Sequence, residues 1–152
     1  MDREKLKEKI QGLVPEITTE ETRDFLAVNV PAGQLRNLVV QLRNDPELSF
    51  DLLLCLTGVD WGKELGVVYH FESTTLKHGV EVKVKTSDRV DPVLDTVCDI
   101  WRTAEFHERE VFDLLGIRFN GHPDLRRIFL DENWVGFPFR KDYVDDVNFV
   151  EL

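Results

Sequence analysis

Residues 50–86, FDLLLCLTGVDWGKELGVVYHFESTTLKHGVEVKVKT, decide the fold. In their last eight positions Val80, Val82 and Val84 alternate with Glu81, Lys83 and Lys85, the two-residue period of a strand with one dry face and one wet face. Residues 65–71 read as a second strand, and residues 50–59 are almost continuously apolar, as expected of a central strand with a buried middle. Three strands in succession make an antiparallel meander.

Outward from this block the periods change. Leu35, Leu38, Val39 and Leu42 follow i, i+3, i+4, i+7, which predicts a helix with one buried stripe ending before Pro46. Residues 25–30 predict a strand stopped by Pro31, and Leu6, Ile10 and Leu13 among charges predict a short first helix. Downstream, Asp91 before Pro92 predicts a capped helix through residue 100, and Thr103 caps a second one that Gly116 stops. The expected fold is α+β: a two-layer domain at residues 1–117, with a mixed, largely antiparallel sheet packed by helices. Residues 118–152 are then an extended irregular C-terminal arm.

The chain has 152 residues, 42% of them hydrophobic, and a formal charge of −10. That length supports one domain burying roughly 70% of its unfolded surface. The acidity disfavours phosphate backbones, so nucleic acid is not an expected partner. No apolar run approaches the roughly 20 residues of a membrane helix, and the charged start MDREKLKEKI lacks the apolar core of a signal peptide, so a cytoplasmic location is expected. Two cysteines, Cys55 and Cys98, read as reduced, small core residues.

Aromatic residues are unevenly spread. Residues 118–143 hold six of the fifteen, with no helical or strand period, and carry a net charge of +1 against −11 for the remainder. Aromatics and Arg are enriched at interface hot spots, so this segment is expected to cover another surface.

Motifs of independent chemistry are incomplete. The run HEREV, residues 107–111, lacks the second His of a zinc-protease helix, and Cys55 and Cys98 are too few for an iron–sulfur cluster. Phosphate-cradling glycine loops and the sharp strand-to-helix turn of a nucleophilic serine are missing too. Glu105–Arg109 and Arg109–Asp113 are spaced for i, i+4 ion pairs; alternatively Arg109 is held rigid to orient a backbone carbonyl or a partner side chain. Arg126 and Arg127 form either a solvated loop or an anion contact.

Residues 108–143, EREVFDLLGIRFNGHPDLRRIFLDENWVGFPFRKDY, resemble the hallmark of the C subunit of proton-translocating NADH:quinone oxidoreductase, respiratory complex I, a family shared with membrane-bound hydrogenase subunits. The resemblance rests on Glu108, Arg109, Glu110, Asp113, Gly116 and Ile117, then on residues 122–127, then on Gly136, Pro138 and residues 140–143. Residues 50–61 resemble the family's strand and loop as well. Phe106 stands where Trp is common, and Val144 where Pro is usual.

The resemblance implies a non-redox accessory subunit of the peripheral arm, docked on the D subunit that forms the quinone site, supporting electron transfer from NADH to quinone coupled to proton translocation. It implies no cofactor, metal or catalytic residue on this chain, with iron–sulfur clusters, FMN and quinone on partner subunits. Location would be peripheral, at the cytoplasmic face of the cell membrane, through the complex alone. The short acidic end VDDVNFVEL implies that the chain is not fused to its D partner. The implied partner-contact residues are Glu108, Arg109, Glu110, Asp113, His122, Pro123, Asp124, Arg126, Arg127, Trp134, Pro138, Arg140, Lys141, Asp142 and Tyr143. The alternatives are the equivalent subunit of an energy-converting hydrogenase, an independent acid/base enzyme using Glu108, Glu110 and a histidine, and a small-ligand regulatory domain.

Overall fold

A computed structural model of the chain describes residues 1–145. The part of the expected arm at residues 146–152 lies outside the described residues. In order, the elements are α1 (Arg3–Gln11), β1 (Thr18–Glu21), β2 (Leu26–Asn29), α2 (Leu35–Asn44), β3 (Leu52–Asp60), β4 (Leu65–Ser73), β5 (His78–Thr86), β6 (Val93–Asp95), α3 (Ala104–Leu115) and β7 (Arg118–Asn120).

The meander is present as β3, β4 and β5, and the sheet continues through β5 to β2 and then β1, in the order β1-β2-β5-β4-β3. Only β2 and β5 run parallel within it. The register places Val67 opposite Val84, Tyr69 opposite Val82 and Phe71 opposite Val80, and Val80 and Val82 opposite Leu26 and Val28. One face is therefore lined with apolar side chains, all but fully buried. Leu6 and Ile10 of α1 and the four-residue stripe of α2 close the same core, giving the α+β fold with a mixed sheet.

Four expectations are corrected. Strand β3 is an edge strand, not a central one. A bulge between Leu53 and Cys55 shifts its register, so Leu53 and Leu56 both point inward while Leu54 is 46% exposed. The apolar run thus reflects a bulged strand with α3 against it, rather than two covered faces.

The helix expected from Asp91 does not form. Asp91 instead holds the Arg118 guanidinium through two bonds of 2.8 and 2.9 Å, Pro92 O accepts from Arg118 N, and Val93–Asp95 pairs in parallel with Arg118–Asn120. Tertiary pairing with a segment 25 residues away outweighs a local cap. It also makes the start of the expected irregular arm a strand, β7. Thr103, in turn, has helical backbone angles and makes no capping bond. Strand β1 is polar and exposed, which is why no alternation marks it.

Candidate functional site

Helix α3 presents two buried faces. Ala104, Glu108, Val111 and Leu115 share the stripe turned to the sheet, and Gly58 of β3 permits the approach, since a Cβ there would lie 2.4 Å from Leu115 Cδ1. Arg109 and Asp113, one turn apart, form the other. Over them runs a strap, residues 122–145, which has no helix or strand among its described residues.

The i, i+4 ion pairs expected within α3 do not occur; both charges serve the strap. Arg109 donates from Nε to Arg126 O (3.1 Å) and from Nη2 to Arg127 O (3.0 Å). This is the rigid, carbonyl-orienting arginine. Asp113 accepts from the backbone N–H groups of Ile128 (3.1 Å), Phe129 (2.7 Å) and Leu130 (3.0 Å), and from Arg127 Nη1 (2.9 Å). Burial pushes the Asp113 carboxyl up, but these donors outweigh it and hold its pKa below the ordinary range. Arg127 donates further from Nη1 and Nη2 to the carbonyls of Asp113, Trp134 and Gly136, so the RR pair forms neither a free loop nor an anion site at this residue.

The strap then finishes the helix. Gly116 adopts φ +74° as its left-handed stop, and the Phe137 ring lies where a Cβ would be, at 2.5 Å. Phe139 N donates to Leu114 O and Arg140 Nε to Leu115 O (2.7 Å), which satisfies carbonyls that a helix end leaves open and sets a cation at its negative pole. Arg140 Nη1 reaches Arg89 O as well (2.8 Å). The Phe137 ring carries Arg127 on one contact and Arg140 on another, about 5 Å from its centroid.

The final anchor is Asp60, at the end of β3. It takes two bonds from Arg89 (2.7 and 2.9 Å), one from Gly62 N and one from Lys141 N (2.9 Å). Arg89 holds the Asp60 carboxyl well below the usual range despite burial, helped by those backbone donors. Asp142 adds a longer contact to Arg89, and Tyr143 packs over Gly136. Lys141 offers its backbone here while its side chain is exposed. Pro123, Asp124 and Arg126 lie towards solvent, the last two paired with each other; Trp134 and Pro138 are half-buried.

Glu108 and Glu110 are not a catalytic pair. Two positions apart on a helix, they diverge: Glu108 enters the core, whereas Glu110 lines a shallow groove with His107, Cys55 and Phe139. Cys98, Glu108 and His122 do converge, with one potential ligand atom from each within 4.8 Å of the others. The ring of His122 opposes a metal, because Nδ1 accepts from Asp124 N (3.0 Å) and Nε2 donates to Glu105 O (2.9 Å). A ligating histidine normally donates from its second nitrogen and keeps the first free for the ion.

Sequence reasoning passed over Asp60, Arg89 and Thr96. Asp60 ends an apolar run and Arg89 stands in an aperiodic loop, so neither carried a signal. Their partners Lys141 and Arg140 are 81 and 51 residues away.

The structure defines a small α+β domain in which Arg109, Asp113, Arg127 and Arg140 hold the chain's own strap, with aromatic side chains left on the outer side. The chain belongs to the family described as "Respiratory-chain NADH dehydrogenase, 30 Kd subunit", whose profile matches residues 28–147. Its relatives include the fused C/D subunit of the NADH-quinone oxidoreductase of Phocaeicola vulgatus, 49% identical over 122 residues, and the C subunit of the Chloroherpeton thalassium enzyme, 45% identical over 141. The matches cover 80% and 91% of this chain, but 23% of the C/D protein and 58% of the Chloroherpeton protein. The C subunit from Chlorobium phaeobacteroides is 41% identical, with 91% of this chain and 84% of that protein covered. Among solved structures, a chain of the membrane-bound sulfane sulfur reductase, an archaeal respiratory membrane complex, superposes with a TM-score of 0.79 at 29% identity, over 95% of this chain and 86% of that one.

Proposed function

We propose that the chain is a non-redox accessory subunit in the peripheral arm of an NADH-quinone oxidoreductase, docked on the D subunit. There it supports electron transfer from NADH to quinone coupled to proton translocation. In this reading FMN, iron–sulfur clusters and quinone belong to partner subunits, and the chain sits peripherally on the cytoplasmic side of the membrane. Among the described residues no helix is long and apolar enough to cross a membrane, which is compatible with attachment through the complex.

One observation carries the docking: relatives named C/D join this domain to D in a single polypeptide, which keeps the two together. The surface suits it. Phe129 and Phe139 are each 67% exposed and Val135 is 87% exposed, on a strap whose backbone is already fixed. Aromatic anchors on a pre-ordered backbone bind without the entropy cost of ordering a loop. Under this proposal the charged motif residues Arg109, Asp113, Arg127 and Arg140 act indirectly, by shaping the strap.

The test is recovery of the complex from membranes with a tagged chain, followed by mass spectrometry of its subunits. The D subunit together with NADH- and flavin-binding subunits is the expected set, and replacing Phe129 and Phe139 together by Ser should lower recovered D several-fold while the isolated domain melts as before. Unchanged recovery would refute docking through these aromatics. The likeness to the sulfane sulfur reductase chain favours a second reading, the equivalent subunit of another respiratory or hydrogenase-type membrane complex; partners with nickel-binding cysteine pairs would select it.

A further inference from the structure

Glu108 is fully buried on the apolar stripe of α3. Its Oε2 accepts from Thr96 Oγ1 (2.5 Å) and its Oε1 from Val97 N (2.8 Å), so it ties the β6–α3 connection to the helix. These are neutral donors. The nearest basic group is His122, whose Nε2 lies 3.9 Å from Oε2 and whose side chain is also fully buried. With Nδ1 accepting from Asp124 N and Nε2 donating to Glu105 O, that ring is the neutral Nε2–H tautomer and brings no charge.

The remaining surroundings do not supply a cation in contact. Tyr69 of β4 faces the carboxyl electrostatically, and its buried hydroxyl has no hydrogen-bond partner among the described residues. From the β6–α3 connection come Cys98 and Asp99, and Glu105 stands one turn back on α3 itself. Asp95 adds a further negative charge beside Tyr69. Arg36 of α2 opposes these, but its guanidinium is bound by Asp99 through bonds of 2.6 and 2.9 Å.

We propose that Glu108 is a buried proton-binding site, which takes one proton from solvent when the domain closes and gives it up only as the Thr96–Cys98 connection and the His122–Asp124 turn loosen from α3. The balance is simple: a carboxylate oxygen gains a proton to give a neutral carboxylic acid, and no other bond changes order. The alternative resting place for the proton is His122 Nδ1. Occupying it would set two N–H donors face to face at 3.0 Å, so the His122–Asp124 turn would have to open. Burial is the largest influence on the Glu108 carboxyl and pushes it up to about 7, against the pull of Thr96 and Val97. The turn begins the strap, so the site links proton occupancy to the surface presented to a partner. It does not depend on which respiratory complex that partner belongs to.

The experiment uses the whole chain with carbon-13 at the glutamate carboxyl, titrated by NMR from about pH 4 to 9. One carboxyl signal, missing in Glu108→Gln, should titrate near neutrality, and the amides of Val97 and Asp124 should move with the same midpoint. Titration of every glutamate near the ordinary value of about 4.3 would overturn the proposal. So would stoichiometric zinc uptake that abolishes the neutral midpoint, since a metal would then own the cluster. Should Glu108→Gln not fold, the wild-type Glu108 signal itself, assigned through its own backbone, decides. A carboxyl raised by folding contributes stability below its unfolded value and loses it as pH rises through the folded value. The contribution of Glu108 therefore fades from about pH 5 to 7, and a Glu108 signal with no midpoint in that window would overturn the site.

Discussion

Replacing Asp113 by Ala removes the acceptor that three consecutive backbone N–H groups and Arg127 share. The side chain is fully buried, and breaking a buried pair by removing one member costs about 3–5 kcal/mol, because the remaining groups stay desolvated. That range applies only if the strap stays down. Should residues 127–130 lift instead, their donors reach water, and the global cost falls towards about 1–2 kcal/mol while the strap becomes open to attack. At about 2–4 °C per kcal/mol for a domain of this size, the two cases correspond to losses of roughly 6–20 °C and 2–8 °C. Thermal melting paired with limited proteolysis separates them: a large drop with an intact strap, or a small drop with early cleavage after Arg126 or Arg127. A variant melting within about 1 °C of the wild type, with its strap equally protected, would refute the role given to Asp113.

Arg140→Ala should destabilise the isolated domain by about 2–3 kcal/mol in urea unfolding, because two carbonyls lose a charged donor, whereas Lys141→Ala should change it by under about 0.5 kcal/mol, its side chain being exposed. Gly116→Ala should cost at least about 1–2 kcal/mol, since an L-residue resists φ +74° and its Cβ would meet Phe137; an unchanged urea midpoint would contradict the packing. Acid should release the strap. Asp60 and Asp113 both have folded pKa values below their unfolded ones, so their contribution is present above the unfolded value of about 4 and is lost as pH falls below it. Trp134 fluorescence should report that loss below about pH 4, and a signal flat down to about pH 2 would count against it.

What is legible in the sequence is what a local period encodes. Val80, Val82 and Val84 disclose their buried face, and Leu35, Leu38, Val39 and Leu42 theirs, because each set packs on one surface at the spacing of its own backbone. The connection from Asp91 to Thr96 misleads for the opposite reason. Its structure is decided by Arg118 and by pairing with β7, which no window around residue 91 contains. The edge position of β3 is hidden in the same way: a bulge at Leu54 turns both Leu53 and Leu56 inward, and α3 packs on the strand at Gly58, so an edge strand carries the apolar run of a central one. At the site, the motif residues are readable as a set but not by role. The spacing of Arg109 and Asp113 suggests a pair, and only the strap's return shows that both face its backbone.

That return has a consequence for how the chain is made. Lys141 N meets Asp60 across 81 positions, and Arg140 meets Arg89 across 51, while β2 cannot find its parallel neighbour until β5 exists. Non-local closure of this kind delays completion of the domain until residue 141 has been synthesised. A ribosome that stops near residue 120 would release a sheet with its helices attached, yet with Arg109 and Asp113 uncovered and the end of α3 unsealed. Residues 122–145 thus report whether the domain has closed: without them open charge and apolar surface stand where the strap otherwise lies, a difference that proteolysis reads.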